Sequence, residues 1–175
     1  FFKQKTAYEI STRDWSSDVC SSDLEELSGK RVIGSIEKVK LIGKNGETVE
    51  VEAKIDTGAD STSIDTELAK QLGFGDVLTF FETIPKPETK ERTDLKNLSV
   101  QYDTRYKGIH PDLDGISFTF SSNGFSMRPK IKITFVMDTI EIPARVSVID
   151  RSHLEYPAII GRKNLGKFLI DTNKN

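Results

Sequence analysis

This 175-residue chain is nearly without thiols and imidazoles. It holds one cysteine, Cys20, one tryptophan, Trp15, and two histidines, His110 and His153. A disulfide framework and a Cys-ligated zinc site are therefore excluded. No His-Glu-x-x-His pair is present for a helical zinc site, and no glycine-rich loop suits a nucleotide phosphate. No metal or other cofactor is expected. No apolar run approaches the length of a membrane span, so no membrane partner is expected. The net charge of −2 offers no basic footprint for nucleic acid. What remains is a chain that is 36% hydrophobic and 30% charged, with enough length for one domain and its core.

The first 24 residues show no period and no apolar central stretch of the kind a signal peptide carries. They resemble translated sequencing-adapter sequence. Lys3 to Ile10 matches one frame of a flow-cell oligonucleotide, Asp14 to Leu24 matches a read primer, and Ser11-Thr12-Arg13 sits where a sample index would lie. Residues 1–24 are expected to be a non-native segment without fixed structure, and 25–175 a single domain. Cys20 and Trp15 both fall in the segment set aside, which leaves the domain cysteine-free. Compartment signals are then unreadable, and the cytoplasm is the default expectation.

From Glu25 onward the pattern is that of strands. Val32 to Ile42 is apolar, interrupted by Lys38 and Lys40. Asn45-Gly46 is a turn signal. Thr48 to Ile55 alternates, with Val49, Val51, Ala53 and Ile55 against Glu50, Glu52 and Lys54, as a half-buried strand does. Asp65 reads as an N-cap for a short helix over Thr66 to Leu72, with Gly73 as its stop. Phe74 to Ser126 is the least regular stretch, and Pro85 to Arg92 reads as a charged, solvated connection. Ile116 to Phe120 and Phe125 to Met127 read as a hairpin, either a flap over a cleft or an ordinary surface hairpin. Ile131 to Val136 and Thr139 to Asp150 form a further strand pair, and Phe168 to Asp171 a terminal strand. Thr139 to Val146 matches Thr48 to Ile55 in character, and Lys130 to Ile133 matches Lys38 to Leu41. The reading is an internal duplication of a hairpin unit.

The alternating strand at Thr48 delivers Asp56 to a turn, Asp56-Thr57-Gly58-Ala59-Asp60. Asp, Thr and Gly are common turn residues, so the triplet by itself suits an Asx-turn as well as a catalytic loop. Its support lies on both sides: the strand before it, and Ile159-Ile160-Gly161-Arg162 near the end of the second copy. Together with the terminal strand, these residues resemble the retropepsin-like aspartic proteases. More closely, Lys54 to Ala59, Asp150-Arg151 and Ile159 to Arg162 resemble a microbial family that carries the label "ATP-dependent zinc protease". Neither half of that label has residues here to support it.

The resemblance implies a mainly β chain: a closed, retropepsin-like β-barrel (the acid protease fold) with one or two short helices, the second after Gly161. It implies an aspartic endopeptidase acting on a peptide or protein substrate, with Asp56 as the catalytic carboxylate. Thr57 and Gly58 would support the loop, and the backbone at Ala59 and Asp60 would hold the substrate by strand-like pairing. Asp60 and Arg162 would form a bidentate, partly buried ion pair. The chemistry needs two carboxylates that share a proton. The second copy has Ile159 or Ile160 in the place of the acid, so the partner Asp56 must come from a second subunit of a homodimer. The alternative reading is a catalytically silent module of the same fold that binds peptides or only dimerises.

Overall fold

The computed structural model describes residues 26–27, 29–87, 95–121 and 124–174. The adapter-like segment 1–24 and part of the charged connection, 88–94, lie outside them. The chain is mainly β. Its strands are β1 (Glu26–Leu27), β2 (Lys30–Ile33), β3 (Ile36–Ile42), β4 (Thr48–Asp56), β5 (Ser63–Asp65), β6 (Gly115–Ser121), β7 (Gly124–Met137), β8 (Ile140–Ile149), β9 (Ala158–Gly161) and β10 (Phe168–Ile170). The α-helices are α1 (Thr66–Ala69), α2 (Gly75–Glu82) and α3 (Leu95–Tyr106).

Six strands close on themselves in the order β3-β4-β9-β5-β8-β7, with β7 pairing back to β3 and β6 added outside β7. The ring consists of two interleaved halves. In the first, the β3–β4 hairpin is followed by β5, which lies parallel to β8. In the second, the β7–β8 hairpin is followed by β9, which lies parallel to β4. Each third strand crosses to the other half, and the halves meet antiparallel at β5–β9 and β3–β7. This is the duplicated unit expected from the sequence, with one change. Ile159 and Ile160 lie in β9, the counterpart of β5, so they do not occupy the place of Asp56. The counterpart of the Asp56 end of β4 is the end of β8, at Ile149 and Asp150.

The alternation holds because one strand face lines the core. Val39, Leu41, Ala53, Ile131, Phe135, Met137 and Val146 are fully enclosed, while Glu50, Glu52 and Lys54 face outward. The two hairpins turn differently. The first turns through residues 43–47, with Gly43 N–H donating to Glu47 O at 2.8 Å. The second turns tightly at Asp138 and Thr139, both at positive φ. The registers therefore differ: Lys38 and Lys40 oppose Glu52 and Glu50, whereas Lys130 opposes Ser147.

Asp65 caps α1, accepting from Glu67 N–H at 2.8 Å. Its other oxygen accepts from Arg151 N–H at 2.6 Å, which ties β5 to the loop after β8. Asp65→Ala removes a cap and leaves that second N–H unpaired. A loss of about 1–3 kcal/mol is expected in urea unfolding; an unchanged midpoint would show that water replaces both bonds.

Gly73, at φ +83°, breaks the helical path after α1, but the chain resumes as α2 two residues later. The described residues between Phe74 and Ser126 thus hold more regular structure than their sequence implies, since they include α2, α3 and β6. The reason is tertiary. α3 has no fully buried residue, and its apolar side is only Leu95, Leu98, Tyr102 and Tyr106. It is held by the hairpin it covers: the Tyr102 ring meets Phe118 edge-on at 5.0 Å, and Phe118 stacks on Phe125 at 5.7 Å. Asp103 also accepts from Ile116 N–H at 2.6 Å. The segments read as separate strands at Phe125 and Ile131 are one strand, β7. After Gly161 a single 3₁₀ turn, Arg162–Asn164, takes the place of the second helix.

Candidate active site

β4 ends on Asp56, level with Gly161 on β9. The turn that follows folds back onto its carboxylate. Oδ1 accepts from Gly58 N–H at 2.9 Å and from Ala59 N–H at 3.1 Å. Among the described residues Oδ2 has no hydrogen-bond partner. One oxygen is thus anchored by backbone donors and the other is left open. Gly58 lets the chain pass close to the acid, since a Cβ there would stand 3.2 Å from Asp56 Oδ1.

The loop is fastened from behind by β9. Buried Thr62 donates its hydroxyl to Asn164 Oδ1 at 2.8 Å and accepts from Gly161 N–H at 3.2 Å. Arg162 N–H donates to Ala59 O at 2.9 Å. Ala59 thus has its N–H spent on Asp56, while its carbonyl, which accepts from Arg162 N–H, keeps a second lone pair. Asp60 N–H has no partner among the described residues and remains available. Thr57 is exposed, and its hydroxyl makes no hydrogen bond to a described residue.

Asp60 and Arg162 do come together, at 3.0 Å between Oδ1 and the nearer guanidinium nitrogen. The geometry differs from the expected fork on two oxygens. Both Nε and Nη2 of Arg162 reach Oδ1, and Oδ2 is taken by Lys163. The side chains are 52% and 63% exposed, so the pair is not buried in the single chain. Lys163, and after it Arg162, hold the Asp60 carboxyl below the usual carboxylate range. Because Lys163 already supplies one cation and Arg162 uses no two-oxygen fork, Arg162→Lys is expected to change the melting temperature little. A large drop would show that the guanidinium fork itself matters.

Arg151 stood in the sequence only as part of an Asp-Arg run. It is half-buried, with Nε donating to Tyr156 O at 3.0 Å, and burial weakens its hold on its proton against the opposing charges of Asp65 and then Asp56. The Asp56 turn therefore lies within the field of a half-buried cation.

Asp76, His110 and Asp112 form the one carboxylate–imidazole group among the described residues with metal-like spacing. Lys44 Nζ already sits against it, 3.1 Å from Asp76 and 2.8 Å from Asp112. Through Lys44 the cluster sits against the β3–β4 turn, at the far end of β4 from Asp56, roughly 25 Å away at about 3.3 Å per strand residue. His153 makes no contact with it. No helix among the described residues is long and apolar enough to cross a membrane.

No family model matches the chain, and no curated protein matches it. Among solved structures it is similar to a Legionella pneumophila protein of unknown function (DUF785), at 16% identity and a TM-score of 0.44, covering 81% of this chain and 93% of that one. A likeness at that level carries no argument about activity.

Proposed function

We propose that the chain is a retropepsin-like aspartic endopeptidase that works as a homodimer, with one Asp56 from each subunit. The observation that carries this reading is the Asp56 carboxylate, fixed at Oδ1 by two backbone N–H groups and open at Oδ2. The ring of six strands with crossed third strands is compatible with the acid protease fold.

The topology also supports a partner from outside the chain. β8 ends in a similar Asx-turn, where Asp150 Oδ1 accepts from Ser152 N–H at 3.0 Å. However, β4 and β8 run antiparallel, and Ile149 stands level with Asp65. Asp150 therefore lies on the order of 15 Å from Asp56 by strand geometry, too far to share a proton. A two-fold axis beside Asp56 would bring two loops together. The exposed Thr57 hydroxyls, unspent within one chain, would then meet across that axis.

In such a pair the two carboxylates hold one proton between them, and their titration belongs to the pair. The ionised Asp56 takes a proton from water as the water oxygen adds to the peptide carbonyl. The protonated Asp56 gives its proton to the carbonyl oxygen. Collapse of the tetrahedral intermediate passes a proton to the departing amine and breaks the C–N bond.

The test is incubation of the chain with a peptide library, read by mass spectrometry, against Asp56→Asn. Cleavage by the first and not the second supports the reading, and no cleavage by a folded dimer would leave the silent, peptide-binding alternative. Specific activity should rise with protein concentration and level off as dimers fill. A strictly monomeric active species would overturn the shared site. A chelator should leave the activity unchanged, because no metal-ligating side chain among the described residues is grouped with Asp56. Loss on chelation with recovery on added zinc would show metal chemistry instead.

A further inference from the structure

Beside the Asp56 loop lies a cleft of about 540 Å³, lined by Gly58 and Ala59 on one side and by the β6–β7 hairpin on the other. One ladder of the ring crosses it. Ser63 of β5 opposes Ser147 of β8, and Ser147 opposes Lys130 of β7. Directly opposed residues share a face of a sheet, and Arg128, two positions before Lys130, shares it too. All four line the cleft.

The charges here do not balance. Arg145 pairs with Asp114 at 2.6 Å and with Asp103 at 3.4 Å, and Lys132 pairs with Asp114 at 3.1 Å. Lys163 is held by Asp60. The Lys130 ammonium makes no hydrogen bond or ion pair with any described residue, because the register of the second hairpin sets Ser147 opposite it where the first hairpin sets glutamates opposite Lys38 and Lys40. Arg128 donates Nε to Ser126 Oγ at 2.9 Å and meets no carboxylate among the described residues. Both cations are half-buried. Burial, and next the neighbouring Arg145, lowers the proton affinity of Lys130, with Asp103 and Asp114 opposing only at longer range. Burial and then Arg151 do the same to Arg128.

Ser63 supplies an independent observation. It is 2% exposed, and its Oγ is the one buried side-chain polar atom among the described residues that lacks a hydrogen-bond partner. A buried hydroxyl without a partner and half-buried cations without a counter-ion are each unfavourable in an empty protein. Found together along one cleft, they are the complement of an anion: charge from Lys130 and Arg128, and a hydroxyl donor from Ser63.

We propose that this ladder is a subsite for an anionic oxygen group, a carboxylate or a phosphate, carried on the substrate next to the bond presented to Asp56. The proposal rests on reading the Asp56 loop as the peptidase site, and it adds a preference for peptides with an acidic side chain at one defined position.

The test is direct binding to the Asp56→Asn chain, which should hold peptides uncut. Fluorescently labelled peptides are compared that differ at a single scanned position, bearing Gln, Glu or phosphoserine, with inorganic phosphate as competitor. At one position the Glu or the phosphoserine peptide should bind at least about tenfold tighter than its Gln counterpart, and which of the two does so distinguishes carboxylate from phosphate. Lys130→Met and Arg128→Gln should each remove that advantage while leaving Gln-peptide binding in place. Lys130→Met should also melt no lower than the parent, since it removes an unpaired, half-buried cation. Should Lys130→Met fail to fold, the Arg128→Gln comparison and the Glu-to-Gln ratio of the parent still decide. Equal binding of all three peptides at every position, or an advantage that survives both substitutions, would overturn the subsite. Tight binding of acidic peptides that the unsubstituted chain never cleaves would leave the subsite standing and defeat the peptidase reading. Cleavage without any acidic preference would do the reverse.

Discussion

Asp56→Asn is expected to abolish peptide hydrolysis and leave the melting temperature within a few degrees of the parent. The carboxamide oxygen can still accept from Gly58 and Ala59 N–H, as Oδ1 does now at 2.9 and 3.1 Å. The turn therefore keeps its anchor. What is lost is chemistry: an amide neither takes a proton from water nor holds one for the carbonyl oxygen. General acid–base assistance is worth on the order of 10²–10⁴-fold, and in a two-fold dimer one substitution removes both roles at once. Residual activity should fall at least that far, measured by cleavage of a fluorogenic peptide at matched dimer concentration. An Asp56→Asn variant that cleaves at more than about a tenth of the parental rate, far above the residue that loss of acid–base assistance allows, would place the catalytic carboxylate elsewhere.

Gly161→Ala should do the opposite, damaging fold and site together. Gly161 has an ordinary φ of −82°, so the requirement for glycine is one of space. A Cβ at this position would stand 2.4, 2.6 and 2.8 Å from the C, O and Cα of Ser61. These are backbone atoms and cannot rotate away. β9 would have to separate from the loop, breaking the pairing with Asp56 and the hydrogen bond from Gly161 N–H to Thr62 Oγ1. Overpacking a tight site costs about 1–3 kcal/mol, and the upper end is expected because the contact is all backbone. At roughly 2–4 °C per kcal/mol for a chain of this size, the melting temperature should fall by about 5–10 °C. Activity should fall further than stability alone accounts for, since the strand that fastens the Asp56 loop has moved. An unchanged melting temperature would mean that the Ser61–Gly161 approach is looser than described.

Such tests separate two roles that lie together in the sequence and apart in the physics. On the proposed reading Asp56 contributes a reacting group, on a turn expected to tolerate its replacement by Asn. Gly161 contributes only an absence, the missing side chain that lets two backbones touch. Read as sequence, the motif Ile159-Ile160-Gly161-Arg162 supplied a resemblance and, in Arg162, one side of an expected ion pair. In the fold it is the support against which the loop closes, through Thr62, Ala59 O and Asp60.

Local chemistry was legible from the sequence alone. Strict alternation at Thr48 to Ile55 specified a half-buried strand, because successive side chains must face opposite ways. Asn45-Gly46 specified the turn, Asp65 the cap, and Asp56-Thr57-Gly58 a small-residue turn carrying an acid. Likeness between two hairpins pointed to a duplicated unit. What only the tertiary structure decided was everything set by contacts between distant segments. The crossing of β5 and β9 is a matter of pairing partners, and short strands of three or four residues carry too little pattern to name them. Helix α3 escaped notice because its stability comes from Phe118 and its neighbours rather than from an apolar stripe of its own. The exposed, shared geometry of Asp60 arose because Lys163 reaches the same carboxylate. That Lys130 meets no carboxylate among the described residues followed from a two-residue turn at Asp138 and Thr139, which set the register of the whole second hairpin. A one-dimensional pattern records which face a residue takes; which residue stands opposite depends on turn length and closure of the ring, and there the two halves differ.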